Sequence, residues 1–130
     1  MQKYTQGIYV DGTFFDIPLL TMQRNADFLD KYAERNEDGD LSRELIGVYY
    51  NYTLSVGTVN DVELYKKFWD KITEPVPFHD FELPDSTGTY EFRGYVSSVS
   101  DKVEKIYDTK TVFTGFTCKM TAKAPARRAR

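Results

Sequence analysis

Between residues 48 and 56 the chain alternates without a break. Val48, Tyr50, Tyr52, Leu54 and Val56 fall on one side, and Tyr49, Asn51, Thr53 and Ser55 on the other. Alternation of this length predicts a strand with one buried face, ended by Gly57. The next pattern has a different period. Val62, Tyr65, Phe68, Trp69 and Ile72 recur at helical spacing, with Glu63, Lys66, Lys67, Asp70 and Lys71 opposite. This predicts one amphipathic helix over about 61–72, whose apolar face must cover a sheet. Asn60 reads as its N-cap, with Glu63 three residues on, and Pro75 and Pro77 close it.

The rest of the chain reads as strands and turns. Gly7-Ile8-Tyr9-Val10 followed by Asp11-Gly12 is a strong hairpin signal, with Thr13 to Ile17 returning and Pro18 demanding an edge or a bend. In residues 19–35, Phe28, Leu29, Tyr32 and Ala33 would suit a short helix. The polar turn Asn36-Glu37-Asp38-Gly39-Asp40 and the strand beyond it favour a long hairpin instead, protruding over about 24–47. After the helix come a strand at 78–83, a turn at Pro84-Asp85-Ser86-Thr87-Gly88 and a strand at 89–99. A last pair, about 102–107 and 111–121, turns around Asp108-Thr109-Lys110. In that final strand Phe116, Cys118 and Met120 share the apolar side. The expected fold is mainly β: a sandwich or barrel of seven or eight antiparallel strands with one flanking helix. It forms a single domain over residues 1–121, followed by a flexible basic tail over 122–130.

Composition narrows the function. Of 130 residues, 41% are hydrophobic and 28% charged, which excludes wholesale disorder, and no apolar run is long enough to span a membrane. The N-terminus has no apolar core of a signal peptide, so synthesis in the cytoplasm is expected. Net charge is −3; without the tail's Lys123, Arg127, Arg128 and Arg130, residues 1–121 stand at −7. An acidic body argues against specific nucleic-acid recognition. The 15% aromatic content suits a well-packed β-domain.

Each chemical candidate has a plainer account. His79 and Asp80 are adjacent, so on a strand they point to opposite faces and make no acid–base pair. Cys118, the only cysteine, lies on the apolar side and reads as a small hydrophobe rather than a nucleophile. The acidic run at 36–40 fails the spacing of a calcium loop, because Leu41 and Gly47 stand where the glycine and the bidentate acid belong. Asp85-Ser86-Thr87-Gly88-Thr89 lacks the Gly-Lys-Ser/Thr end of a phosphate loop and opens a strand. Tyr49, Tyr50, Tyr52, Tyr90, Tyr95 and Tyr107 could stack bases or sugars, but no basic groove accompanies them. Tyr49 suits a protein interface better. The residues therefore indicate no catalytic site, no metal and no cofactor. They leave Asp27, Asp30, Lys31, Glu34, Arg35, Arg43 and Glu44 on the hairpin, Tyr49, and Arg127, Arg128 and Arg130 on the tail as candidate inter-subunit contacts.

Three segments together resemble small tail proteins encoded in prophages of Gram-positive bacteria. They are Leu29-Asp30-Lys31-Tyr32-Ala33-Glu34-Arg35 with Glu37-Asp38-Gly39 and Arg43-Glu44-Leu45-Ile46-Gly47-Val48-Tyr49-Tyr50-Asn51-Tyr52; Phe68-Trp69-Asp70-Lys71-Ile72 with Pro77-Phe78-His79; and Tyr95-Val96-Ser97-Ser98-Val99-Ser100-Asp101. The resemblance implies the tail-tube and baseplate fold of long-tailed phages, in which subunits close into rings through sheet-edge and hairpin contacts. It implies a structural subunit, not an enzyme, with copies of itself and adjacent tail proteins as partners and the virion tail as location. The competing expectation is a stand-alone β-barrel module binding a small apolar ligand or a glycan.

Overall fold

The computed structural model describes residues 7–59, 61–85, 88–106 and 110–130. Residues 1–6, the expected cap Asn60, Ser86 and Thr87 of one turn, and Tyr107, Asp108 and Thr109 of another lie outside the described residues.

β1 (Ile8–Val10) and β2 (Thr13–Phe15) form the first hairpin. Asp11 and Gly12 between them both have positive φ, 51° and 83°, the conformation that Asp-Gly tolerates and a tight hairpin turn requires. β3 (Leu19–Arg35) and β4 (Leu41–Val56) form the long second hairpin, paired from Leu19–Val56 out to Arg35–Leu41. Residues 28–33 are thus strand and not helix. The tip closes on itself: Asn36 Oδ1 accepts from the Asp40 N–H at 2.9 Å, and Arg35 Nη1 donates to the Gly39 carbonyl at 2.8 Å. α1 (Val62–Ile72) follows. Its N-cap is Asp61, whose carboxylate accepts from the Leu64 N–H at 3.1 Å, so the capping role falls one residue later than Asn60.

β5 (His79–Asp85) pairs with β6 (Gly88–Ile106), and β6 with β7 (Lys110–Ala122). The strands expected separately at 89–99 and 102–107 are one strand of 19 residues. Register shifts between Val96 and Ser98 and between Ser100 and Lys102 absorb the polar interruption as bulges, which bend a strand without ending it. The order across the sheet is β2-β1-β5-β6-β7-β4-β3, all antiparallel, with a short β8 (Arg127–Arg128) also on β4.

The sheet curls over its own inner face. Ile8, Val10, Phe81 and Leu83 from one end meet Tyr52, Leu54, Val56, Phe116, Cys118 and Met120 from the other. α1 bridges the gap, because Phe68 touches Phe15 of β2 and Phe116 of β7, with ring centroids 5.4 and 5.1 Å away. Tyr65 stacks on Phe113 at 4.1 Å, and its hydroxyl donates to Asp101 at the bulge of β6. Of the expected apolar face of α1, Tyr65, Phe68 and Ile72 are buried. Trp69 is half-buried, edge-on to Phe116, and Val62 is exposed.

The C-terminal residues, expected to be a flexible tail, are docked. β7 runs beside β4 as far as Met120–Tyr52; the chain then bows outward and returns as β8 opposite Gly47 and Val48. Backbone hydrogen bonds from Ala126 N–H to the Val48 carbonyl (2.9 Å) and Ala129 N–H to the Ile46 carbonyl (3.2 Å) hold it. Gly47 makes room: a Cβ there would stand 2.8 Å from both the Arg127 carbonyl oxygen and Pro125 Cβ.

Candidate functional site

Among the described residues, His79 is the buried polar side chain of the core, 3% exposed at the start of β5. Its neighbour Asp80 faces the other way and binds Arg93 at 2.9 Å. The partner of His79 is Asp11 in the first turn, whose Oδ2 lies 2.6 Å from Nδ1. A carboxylate can only accept, so Nδ1 carries the proton. Nε2 is buried without a hydrogen-bond partner among the described residues. Burial pushes the Asp11 carboxyl up, but the Asp80 backbone N–H (2.7 Å), the imidazole and Lys71 together outweigh it and hold the group below its ordinary value. Lys71, from the last turn of α1, places Nζ 3.4 Å from Asp11 and 3.5 Å from Glu74.

This arrangement ties the first turn, the helix end and β5 together, and it offers little chemistry. The Nε2 of His79 is sealed from solvent. Asp11, Glu74 and His79 bring ligand atoms within 4.8 Å of one another, yet the Lys71 ammonium already supplies positive charge at both carboxylates. Asp11 was legible only as a turn residue; its second role depends on a strand 68 positions away.

The structure also places the other candidates. Cys118 is fully buried and its thiol is pushed up to about 12 by burial, which removes the thiolate a nucleophile needs. The carboxylates of 36–40 flank a self-bonded turn. Tyr50, Tyr52 and Tyr90 pack with Phe92 on the inner side of the sheet, so they are not a stacking platform. Tyr107 lies outside the described residues.

The candidate contact residues divide by position. Asp27 accepts from Asn51 Nδ2 at 2.6 Å across the hairpin, and Asp30 binds Arg43 at 2.5 Å. Arg35 closes the tip, while Lys31, Glu34 and Glu44 are exposed along the arm. Tyr49 is half-buried on the outer side, opposite Asp27. Arg127 and Arg128 sit on β8 with Arg130 beyond it, all exposed. Four of the charges the sequence singled out, Asp27, Asp30, Arg35 and Arg43, therefore serve within the arm. What it passed over is apolar: Phe28 (60% exposed), Leu29, Tyr32, Leu41 and Ile46 all stand open to solvent on the same hairpin. Their signal was present in the Phe28–Leu29–Tyr32 cluster, which helical spacing obscured.

A shallow groove of about 420 Å³ lies on the outer side of the sheet, where Leu29 and Tyr49 face Phe78, Tyr95, Thr121 and Lys123. Lys123 Nζ rests 4.9 Å from the Phe78 ring centre.

No family model matches this chain, and no curated protein matches its sequence. Among solved structures, a chain from the virion of a native gene transfer agent particle is similar over the whole of both chains, at 15% identity and a TM-score of 0.47. The likeness is one of outline, and no functional argument rests on it.

Proposed function

We propose that this chain is a structural subunit of a phage tail or a phage-derived particle, packing against copies of itself and neighbouring proteins and performing no catalysis. The observation that carries the reading is β3. It pairs with β4 on one side, and among the described residues no strand covers the other, leaving an edge 17 residues long. A long free edge is a template for pairing with another chain, and soluble monomers blunt or cover it. Here it stands on an arm with five large apolar side chains exposed, more than a lone domain needs to show to water. The resemblance of the three segments to prophage tail proteins supplies the setting, a ring in the tail tube, distal tail or baseplate.

The test is the particle itself. Particles purified from the bacterial strain that encodes the chain should contain it by peptide mass, and antibody-bound gold should mark one position along the tail. Purified particles that carry other tail proteins but lack this chain would overturn the reading.

A further inference from the structure

The outer side of the sheet, turned away from the core, carries an acidic pair on two strands and a group of cations on the strands beside them. On β5 and β6, Glu82 and Glu91 stand directly opposite each other. Like charges so placed repel, and the hydrogen bond and charge of Glu82 raise the Glu91 carboxyl above its ordinary value. Among the described residues neither makes an ion pair: Arg93 beside them is held by Asp80, and the Thr89 hydroxyl donates to Glu82 at 3.2 Å. β7 and the docked C-terminal segment present Lys119, Lys123, Arg128 and Arg130, all exposed. Arg128 is paired with Gly47 and so shares the side of Tyr49, two residues along β4. Neither Arg128 nor Arg130 makes an ion pair among the described residues, and the ladder on β4 fixes the backbone that carries them. The apolar groove of Leu29, Tyr49, Phe78 and Tyr95 opens on this same outer side.

We infer that this face docks a second copy of the chain head to tail, with the Arg128 and Arg130 guanidinium groups of one copy on the Glu82–Glu91 pair of the next. The inference rests on the self-packing reading above and names the surface it uses. Charge complementarity selects the occupant. A guanidinium presents several N–H donors in one plane and can bridge two carboxylates, which turns their repulsion into a shared contact. The apolar groove then supplies the drier centre that a charged rim surrounds. Because the two patches differ, the contact is heterologous, and each copy keeps one patch free for a further copy. Docking of β8 makes this workable, since a fixed basic strand loses less freedom on binding than a loose tail.

Sedimentation velocity on the full chain, up to millimolar protein and across a salt series, tests this. The parent should self-associate at low salt and separate as salt screens the contact. Arg128→Glu with Arg130→Glu, or Glu82→Lys with Glu91→Lys, should each weaken association by about 100-fold while leaving the melting profile cooperative. An equimolar mixture of the two variants should associate again, because each supplies the patch the other lacks. Should the lysine pair fail to fold, Glu82→Gln with Glu91→Gln replaces it: weakened association supports the contact, parental association refutes it. A parent that stays monomeric at low salt, a reversed variant that associates like the parent, or a mixture no better than its components overturns the inference. A chain found in particles yet monomeric here would sink this contact alone, whereas one absent from particles yet associating here would sink the virion reading alone.

Discussion

Replacing Gly47 by alanine should release the C-terminal strand while sparing the core. The new Cβ would sit 2.8 Å from the Arg127 carbonyl oxygen and 2.8 Å from Pro125 Cβ, separations that real contacts do not reach. The backbone of β4 is held on its other side by β3 through the Leu29–Gly47 pair, so the segment carrying β8 must yield. What it forfeits is the Ala126–Val48 and Ala129–Ile46 hydrogen bonds and the pairing of residues 47 and 48 with 128 and 127. At about 0.5–1.5 kcal/mol net for each hydrogen bond, the loss is about 2–3 kcal/mol of local stability. Removing a glycine from a strand returns about 0.5–1 kcal/mol through the unfolded chain. Amide hydrogen exchange resolves the two effects. The Ala126 and Ala129 amides should exchange about 10–100-fold faster, each tenfold corresponding to about 1.4 kcal/mol, while amides in β5 and β7 keep their protection. Unchanged exchange at Ala126 and Ala129 would show that β8 is not held as described.

Three further outcomes follow from the core and the Asp11 cluster. Phe68→Ala empties a fully buried site between Phe15 and Phe116 and should cost about 3–5 kcal/mol in urea denaturation; a loss below about 1 kcal/mol would mean that α1 does not close the sheet. Asp11 is held below its ordinary 3.8, so the folded state binds this proton less tightly than the unfolded chain. Its contribution is therefore complete above that value and is lost as pH falls through the lower folded one. Asp11→Asn should lower stability near neutrality by about 1–2 kcal/mol and converge with the parent in acid; a pH-independent difference would rule this out. Cys118, buried and with its thiol pushed up to about 12, should resist thiol reagents until the protein unfolds, and rapid labelling of native protein would contradict the buried assignment.

The elements with a strict period were readable from residues alone. The alternation at 48–56 became the inner half of β4, the 3.6-residue spacing of Tyr65, Phe68 and Ile72 became the buried side of α1, and Asp11-Gly12 became the first turn. Three things were not readable, each for its own reason. Ser100 and Asp101 look like a break, because a bulge and a strand end share the same polar residues; pairing with β7 decides between them. The C-terminal arginines look free because docking depends on a missing side chain at Gly47, some 80 residues earlier, a non-local fact that no window contains. Asp11 and His79 each look self-sufficient, one as a turn residue and the other as a lone histidine, until β1 and β5 lie side by side. The charged residues of the arm were placed correctly on a hairpin, but opposite charges across a strand pair satisfy each other first, as Asp30 and Arg43 do.

That adjacency of β1 and β5 also orders the events of folding. The first hairpin is only three residues on each side, too short to persist alone in water. Its stabilising partners, Phe81 and Glu82 of β5 and the imidazole 68 positions from Asp11, emerge from the ribosome much later. The β3–β4 arm needs no such wait, because its two strands are close in sequence. The chain should therefore fold from its middle, with Ile8, Val10 and Phe15 sealed in afterwards, and closure of that long loop should set the overall rate. Until then the nascent N-terminus exposes the very residues that finish the core.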